Sequence, residues 1–211
     1  MVGMTARRIQ SLFVLIFCMS IPHLSPAQAV PNADEIFASV QKKYADGASM
    51  RVKFLMKSED VRGSLALKRG NKYILEIMGK TIICNGKIVW NYDAAQKKVI
   101  ISDFRDNPDN ISPERIFMNF PRHYKPSLTV EKTSNDILLS LAPTKARDQM
   151  SDMQRVGLRL SRELRLKSIA IYDGTTLHEW DITDIKPDAN LPDSAFEWKP
   201  PQGAQVIDLR D

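Results

Sequence analysis

The sequence predicts a mainly β domain, an antiparallel meander of ten or eleven short strands with two or three short helices. Three observations carry that reading. From Ser49 onward, apolar and polar residues alternate at period two, the mark of strands wetted mostly on one face. Successive runs are separated by turn pairs: Gly70-Asn71, Asn85-Gly86 and Asp173-Gly174. The runs follow one another without the long helical crossovers that parallel βαβ units need. With 43% hydrophobic and 26% charged residues in 211, the chain can bury a core and lies far from the composition of disorder.

Taken in order, the chain opens on Arg7 and Arg8, an apolar run from Leu12 to Ile21, then Pro22, Pro26 and Ala27-Gln28-Ala29. This is the pattern of a secretory signal peptide, residues 1–29, cleaved after Ala29, with residues 30–211 expected as one domain. The apolar run is about half the roughly twenty residues that a membrane-spanning helix needs. Asn32-Ala33-Asp34-Glu35 reads as a capping box, and Ile36, Phe37, Val40 and Tyr44 follow at helical spacing. Strands are expected around Met50–Met56, Leu65–Leu67, Tyr73–Ile77, Thr81–Cys84 and Lys87–Tyr92. Ser112-Pro113-Glu114 then supplies a helix start, with Ile116, Phe117 and Phe120 as its apolar residues. Strand character returns at Leu128, Ile137, Val156, Leu164 and Thr176, and a parity switch between Leu164 and Tyr172 predicts a bulge.

Charge and chemistry narrow the function. Loss of Arg7 and Arg8 with the leader lowers the basic count from 30 to 28 against 25 acidic residues, a balance of +3 with the signs interleaved. A nucleic-acid partner is not expected. Loss of Cys18 leaves Cys84 alone, so an exported protein would have no internal disulfide. The mature chain holds only His123 and His178, and no His-Glu-x-x-His, paired cysteines or Gly-x-Ser-x-Gly elbow. Asp103, Asp106 and Asp109 lack the alternating ligands and closing Glu of a calcium loop. No catalytic residue, metal or cofactor is expected, and with no heptad or self-pairing strand the chain is expected to be a monomer.

Three segments resemble the periplasmic outer-membrane lipoprotein carrier (LolA-type) family. They are Gly63-Ser64-Leu65-Ala66-Leu67-Lys68-Arg69, Asn85-Gly86-Lys87-Ile88-Val89-Trp90-Asn91-Tyr92-Asp93, and Ala195-Phe196-Glu197-Trp198-Lys199-Pro200-Pro201-Gln202-Gly203-Ala204. The family's Pro after Lys-Arg is Gly70 here, and an aromatic is replaced by Leu75. The resemblance implies an unclosed antiparallel β-barrel of about eleven strands, with short helices forming a lid over an apolar cavity.

It also implies a non-enzymatic carrier in the Gram-negative periplasm. Such a carrier takes the acyl chains of lipoproteins released by an inner-membrane ABC transporter and delivers them to an outer-membrane acceptor. Val52, Phe54, Leu65, Leu67, Tyr73, Leu75, Ile77, Ile88, Trp90 and Tyr92 are expected to face the cavity, with Ile116, Phe117 and Phe120 facing it from the lid. Arg69 matches the family's arginine that holds the lid closed. The competing reading is a lipid- or lipoprotein-sensing envelope regulator of the same half-barrel fold. Such regulators carry a second domain, and the end at Asp211 favours the carrier.

Overall fold

The computed structural model describes residues 32–45, 47–105, 113–118, 124–143 and 155–210. The predicted leader, Phe120, His123, Asp106 and Asp109 lie outside these residues. Helix α1 (Ala33–Ala45) starts at the expected capping box: the Glu35 N–H donates to Asn32 Oδ1 at 2.8 Å, and the Asn32 N–H donates to Glu35 Oε2 at 3.3 Å. Its stripe of Ile36, Phe37, Val40 and Tyr44 is buried, each side chain stabilising by roughly 1.5–3 kcal/mol.

Six strands follow as a meander: β1 (Ser49–Met56), β2 (Val61–Lys68), β3 (Lys72–Ile77), β4 (Lys80–Asn85), β5 (Ile88–Asp93) and β6 (Lys98–Asp103). After the short helix α2 (Pro113–Phe117) come β7 (Tyr124–Val130), β8 (Ile137–Pro143), β9 (Arg155–Leu160), β10 (Leu166–Tyr172) and β11 (Leu177–Pro187). A 3-10 turn (Asp193–Phe196) leads to β12 (Gln205–Asp208). The described residues form one sheet in the order β12-β6-β5-β4-β3-β2-β1-β11-β10-β9-β8-β7. The two meanders join where β11 pairs with β1, and β7 and β12 are left as the two ends, so the sheet is an unclosed barrel. Twelve strands replace the expected ten or eleven because β6 follows β5 in the meander and the C-terminal segment adds β12, which pairs in parallel with β6. The expected bulge is present as a register shift in β10 between Leu166 and Ser168.

The sheet changes its buried side along its width. One cross-strand row runs Val52, Leu65, Leu75, Ile82, Asn91, Ile100: apolar over β1–β4, then interrupted by the exposed Asn91. The opposite row runs Arg51, Ala66, Ile74, Ile83, Trp90, Ile101: charged at β1 and apolar from β3 to β6. Two cores result. The main one lies on the concave side of β1–β3 and β7–β11 and includes α1 and Phe117. The second joins Ile83, Trp90, Val99 and Ile101 on the other face, covered by Trp198 and Ala204.

This overturns the expected cavity positions of Ile88, Trp90 and Tyr92. The loops β3–β4 (Met78, Gly79) and β5–β6 (94–97) hold even numbers of residues, and Cys84 pairs with Val89 across the β4–β5 loop. An even loop exchanges odd for even positions between strands. The face of Tyr73, Leu75 and Ile77 therefore continues through Ile82 and Cys84 to Val89 and Asn91. Ile88, Trp90 and Tyr92 pack in the second core, with Tyr92 and Trp198 rings 5.7 Å apart.

The covering segment is tied down at its start. Lys68 Nζ donates to the Leu191 carbonyl at 2.9 Å, and Asp193 accepts from Lys68 and Lys72 at 2.7 and 2.8 Å. Hydrogen bonds from Lys68, then Lys72, hold the Asp193 carboxyl down to about 2 from its ordinary 3.8. Because the folded value lies below the unfolded one, this contribution to stability is present above about pH 4 and lost as pH falls from about 4 to about 2. Asp193→Asn is expected to lower the urea midpoint at neutral pH, with the gap to wild type closing toward pH 2; a gap that stays constant with pH contradicts the assignment.

Candidate functional site: an apolar cavity under a short helix

A cavity of about 350 Å³ lies between the concave face of the sheet and α2. Its wall is Phe54 and Met56 from β1, Leu65 from β2, Leu75 and Ile77 from β3, Ile169 from β10, and Trp180 and Ile182 from β11. Pro113 and Phe117 of α2 complete it. Among the described residues every lining residue is apolar, so the space offers mainly dispersion contacts.

Strand geometry explains the set. Phe54 pairs with Ile182 and Met56 with Trp180 across β1–β11, while Ile169 faces Trp180 across β10–β11. The β1–β11 register shifts after Lys53, leaving Thr183 out of the pairing. That bulge sets Trp180 and Ile182 on the cavity side while Ile185 stays beside Val52.

Of the expected residues, Phe54, Leu65, Leu75, Ile77 and Phe117 line the cavity. Val52, Leu67 and Tyr73 belong to the same core but not to the lining, with Val52 and Leu67 buried and Tyr73 packed against them. Burial pushes the Tyr73 phenol up to about 12. Of Ile116, only the backbone within α2 is described. Sequence reasoning misses Met56, Pro113, Ile169, Trp180 and Ile182. Met56 shares the parity of Val52 and Phe54, so its signal is present in the sequence. Ile169, Trp180 and Ile182 depend on two bulges and on the long-range β1–β11 pairing.

The two covering helices are attached at different points of the sheet. At the end of α1, the Tyr44 hydroxyl accepts from the Leu166 N–H at 2.9 Å and lies 3.3 Å from the Leu164 carbonyl, to which Lys43 Nζ donates at 3.1 Å. Helix α2 has five residues and rests on β2 and β3. Its buried Glu114 accepts the Asn71 backbone N–H at 2.5 Å, tying α2 to the turn at residues 69–71. Arg69 lies in that turn, exposed, its backbone N–H donating to the Ala48 carbonyl at 3.1 Å.

Gly63 sets the seat of Phe54. A Cβ at Gly63 would lie 2.4 Å from Phe54 Cζ and 2.7 Å from Cε2, so the ring rests directly on the glycine. Gly63→Ala must push the ring toward the cavity, at a cost of about 1–3 kcal/mol for overpacking. Adding Phe54→Leu should return much of that loss in a double-mutant cycle read by urea unfolding; additive losses would show that the contact is not there.

Elsewhere, Cys84 is buried and its thiol is pushed up by desolvation, and His178 is an exposed side chain 3.1 Å from Asp173. Among the described residues, no group of three or more His, Cys, Asp or Glu could hold a metal.

Comparison with known proteins agrees with this architecture. The chain is 23% identical over 188 residues to an uncharacterized protein of Methanocaldococcus jannaschii, covering 83% of this chain and 54% of the relative. It therefore spans about half the length of that curated relative. Among solved structures, an uncharacterized conserved protein from Thermus thermophilus aligns with a TM-score of 0.52 and 14% identity, over 83% of this chain and 98% of the other. A domain named for outer membrane lipoprotein sorting, from Vibrio parahaemolyticus, aligns with a TM-score of 0.45 and 13% identity, over 79% and 97%. The first of these shares the fold; the second, below 0.5, carries no further weight. The sequence profile described as "Outer membrane lipoprotein carrier protein LolA" matches residues 53–199, from the strand that seats Phe54 to the tryptophan-bearing segment over the second core, and the chain belongs to that family.

Proposed function

We propose that the protein is a periplasmic carrier, exported by cleavage of residues 1–29, that moves acylated lipoproteins from an inner-membrane ABC transporter to an outer-membrane acceptor. The observation that supports this reading most is the cavity lined by apolar residues and roofed by the short helix α2. A cavity of about 150 Å³ holds one benzene, or about 25 Å³ per carbon. On that scale 350 Å³ takes on the order of fourteen carbons, one acyl chain with the lid in place.

Burying such a chain is worth roughly 11 kcal/mol, at about 0.8 kcal/mol per methylene. A carrier has to release what it holds. Lifting α2 breaks its own contacts with the sheet, so the closed empty state competes with cargo and lowers the net affinity. No bond is made or broken in this process, and the protein acts as a monomeric shuttle, not an enzyme.

The three tryptophans provide a direct test, because Trp180 lines the cavity while Trp90 and Trp198 belong to the second core. Titration with an acylated peptide should shift the emission of wild type and of the Trp90→Phe and Trp198→Phe variants, and leave Trp180→Phe silent. A response that survives loss of Trp180 would place the ligand elsewhere. A second expectation concerns Glu114 and Arg69 as a latch that holds α2 closed. A hydrogen bond to a charged group is worth about 1.5–3 kcal/mol, so Glu114→Gln should tighten acyl-peptide binding by about tenfold and slow its transfer to acceptor vesicles. Arg69→Leu is expected to act in the same direction. Unchanged transfer in both variants would refute the latch.

A further inference from the structure

Met78 violates the local rules of the fold without any gain in folding. With Gly79 it forms the two-residue turn between β3 and β4, and both residues take positive φ, 53° and 73°. Such turns favour Asn, Asp and Gly, because left-handed backbone crowds a Cβ and short polar side chains bond locally. A long apolar side chain gains nothing from the conformation, and Met78 is 65% exposed, so packing does not account for it either.

A second apolar tip lies at the same end of the sheet. Leu177, 60% exposed, begins β11 beside Tyr172, with which it pairs across the β10–β11 hairpin. Following the register from Ile77 to Gly63, to Phe54 and to Ile182 shows that both hairpins turn at one end; their tips are three strand spacings apart, about 14 Å across the sheet, and Leu177 stands about four residues, or about 13 Å, further along its strand than Met78. Met56, Ile77 and Trp180, which lie just inside these tips, line the cavity. Met78 and Leu177 thus stand at the end of the barrel nearest the space where the chain would lie, while Val130 and Leu209, also exposed, stand toward the other end.

We propose that this end is the surface with which the protein meets lipid, Met78 and Leu177 entering the apolar boundary beside the cavity as the acyl chain changes hands; the inference rests on the carrier reading. Area argues for lipid over a protein partner. A stable protein interface buries about 800 Å² on each side with close shape complementarity, which single side chains on separate tips do not offer. A lipid boundary is fluid and takes isolated apolar groups, with a strength that scales with the area inserted. Charges of both signs stand at this end, including Lys57, Glu59, Asp60, Lys80, Lys97 and Asp173, so the association should depend little on lipid charge.

The test is co-flotation of the exported protein with vesicles of phosphatidylcholine, and of phosphatidylcholine with phosphatidylglycerol. Wild type and Met78→Leu should float with both. Met78→Asn, which suits the left-handed turn and should keep or raise the thermal midpoint, should lose about tenfold in association, and Leu177→Asn a similar factor. Wild type that stays in solution, or Asn variants that float like wild type, would overturn the inference. Trp180 emission with an acylated peptide, measured on the same samples, separates the two readings. A retained response without flotation sinks only the lipid-contact surface, and loss of both sinks the carrier reading with it.

Discussion

A concave apolar face large enough to receive an alkyl chain has to be covered when no chain is there, because a large exposed patch promotes association. The rest of the structure is arranged around that requirement. Helix α1 covers part of the face permanently: it has a capping box at its start, four buried apolar residues along its length and the Tyr44 hydroxyl bonded at its end. Among the described residues, helix α2 adds the Phe117 ring to the cavity wall and the Glu114 carboxylate to the Asn71 backbone N–H. In the proposed carrier, stability and access would be given to different helices: α1 would hold the fold, and α2 would be the part that lifts.

The exchange of polarity across the sheet decides where the cavity lies. Had the concave face stayed apolar through β6, the surface to be covered would have been far wider than α1 and α2 can span. Asn91 interrupts the apolar concave row at β5, while Ile74, Ile83, Trp90 and Ile101 carry a second core on the opposite side. That second core needs its own cover, which is the role of the segment around Trp198 and Ala204, anchored by Asp193 at one end and by β12 on β6 at the other. The match to the family profile ends at Lys199, within this cover. The sheet's share of the cavity wall comes from β1–β3, β10 and β11, where the two described register shifts also lie.

Much of this is legible in the residues. Asn32 and Glu35 announce the capping box, period-two alternation announces β1 to β5, and the parity switch near Leu166 announces a bulge. Local rules reach that far because each depends on neighbours in sequence. Parity taken strand by strand misplaces the faces of β5, because even-numbered loops exchange it; tracing Tyr73 to Cys84 to Val89 moves Trp90 out of the cavity. Trp180 and Ile182 are out of reach for another reason. Their place depends on β1–β11 pairing across more than a hundred residues and on Thr183 dropping out of register, neither of which leaves a local pattern. The twelfth strand is hidden likewise, since a four-residue parallel edge strand has no hairpin to signal it.

The measurement that bears most directly on the central claim is lipoprotein release. The exported protein would be incubated with energised spheroplasts of its own source, and the soluble fraction analysed for acylated lipoprotein. The account predicts soluble one-to-one complexes, with the acyl chain protected from solvent. Folded protein that leaves every acylated lipoprotein in the membrane, while the transporter is active, would contradict it.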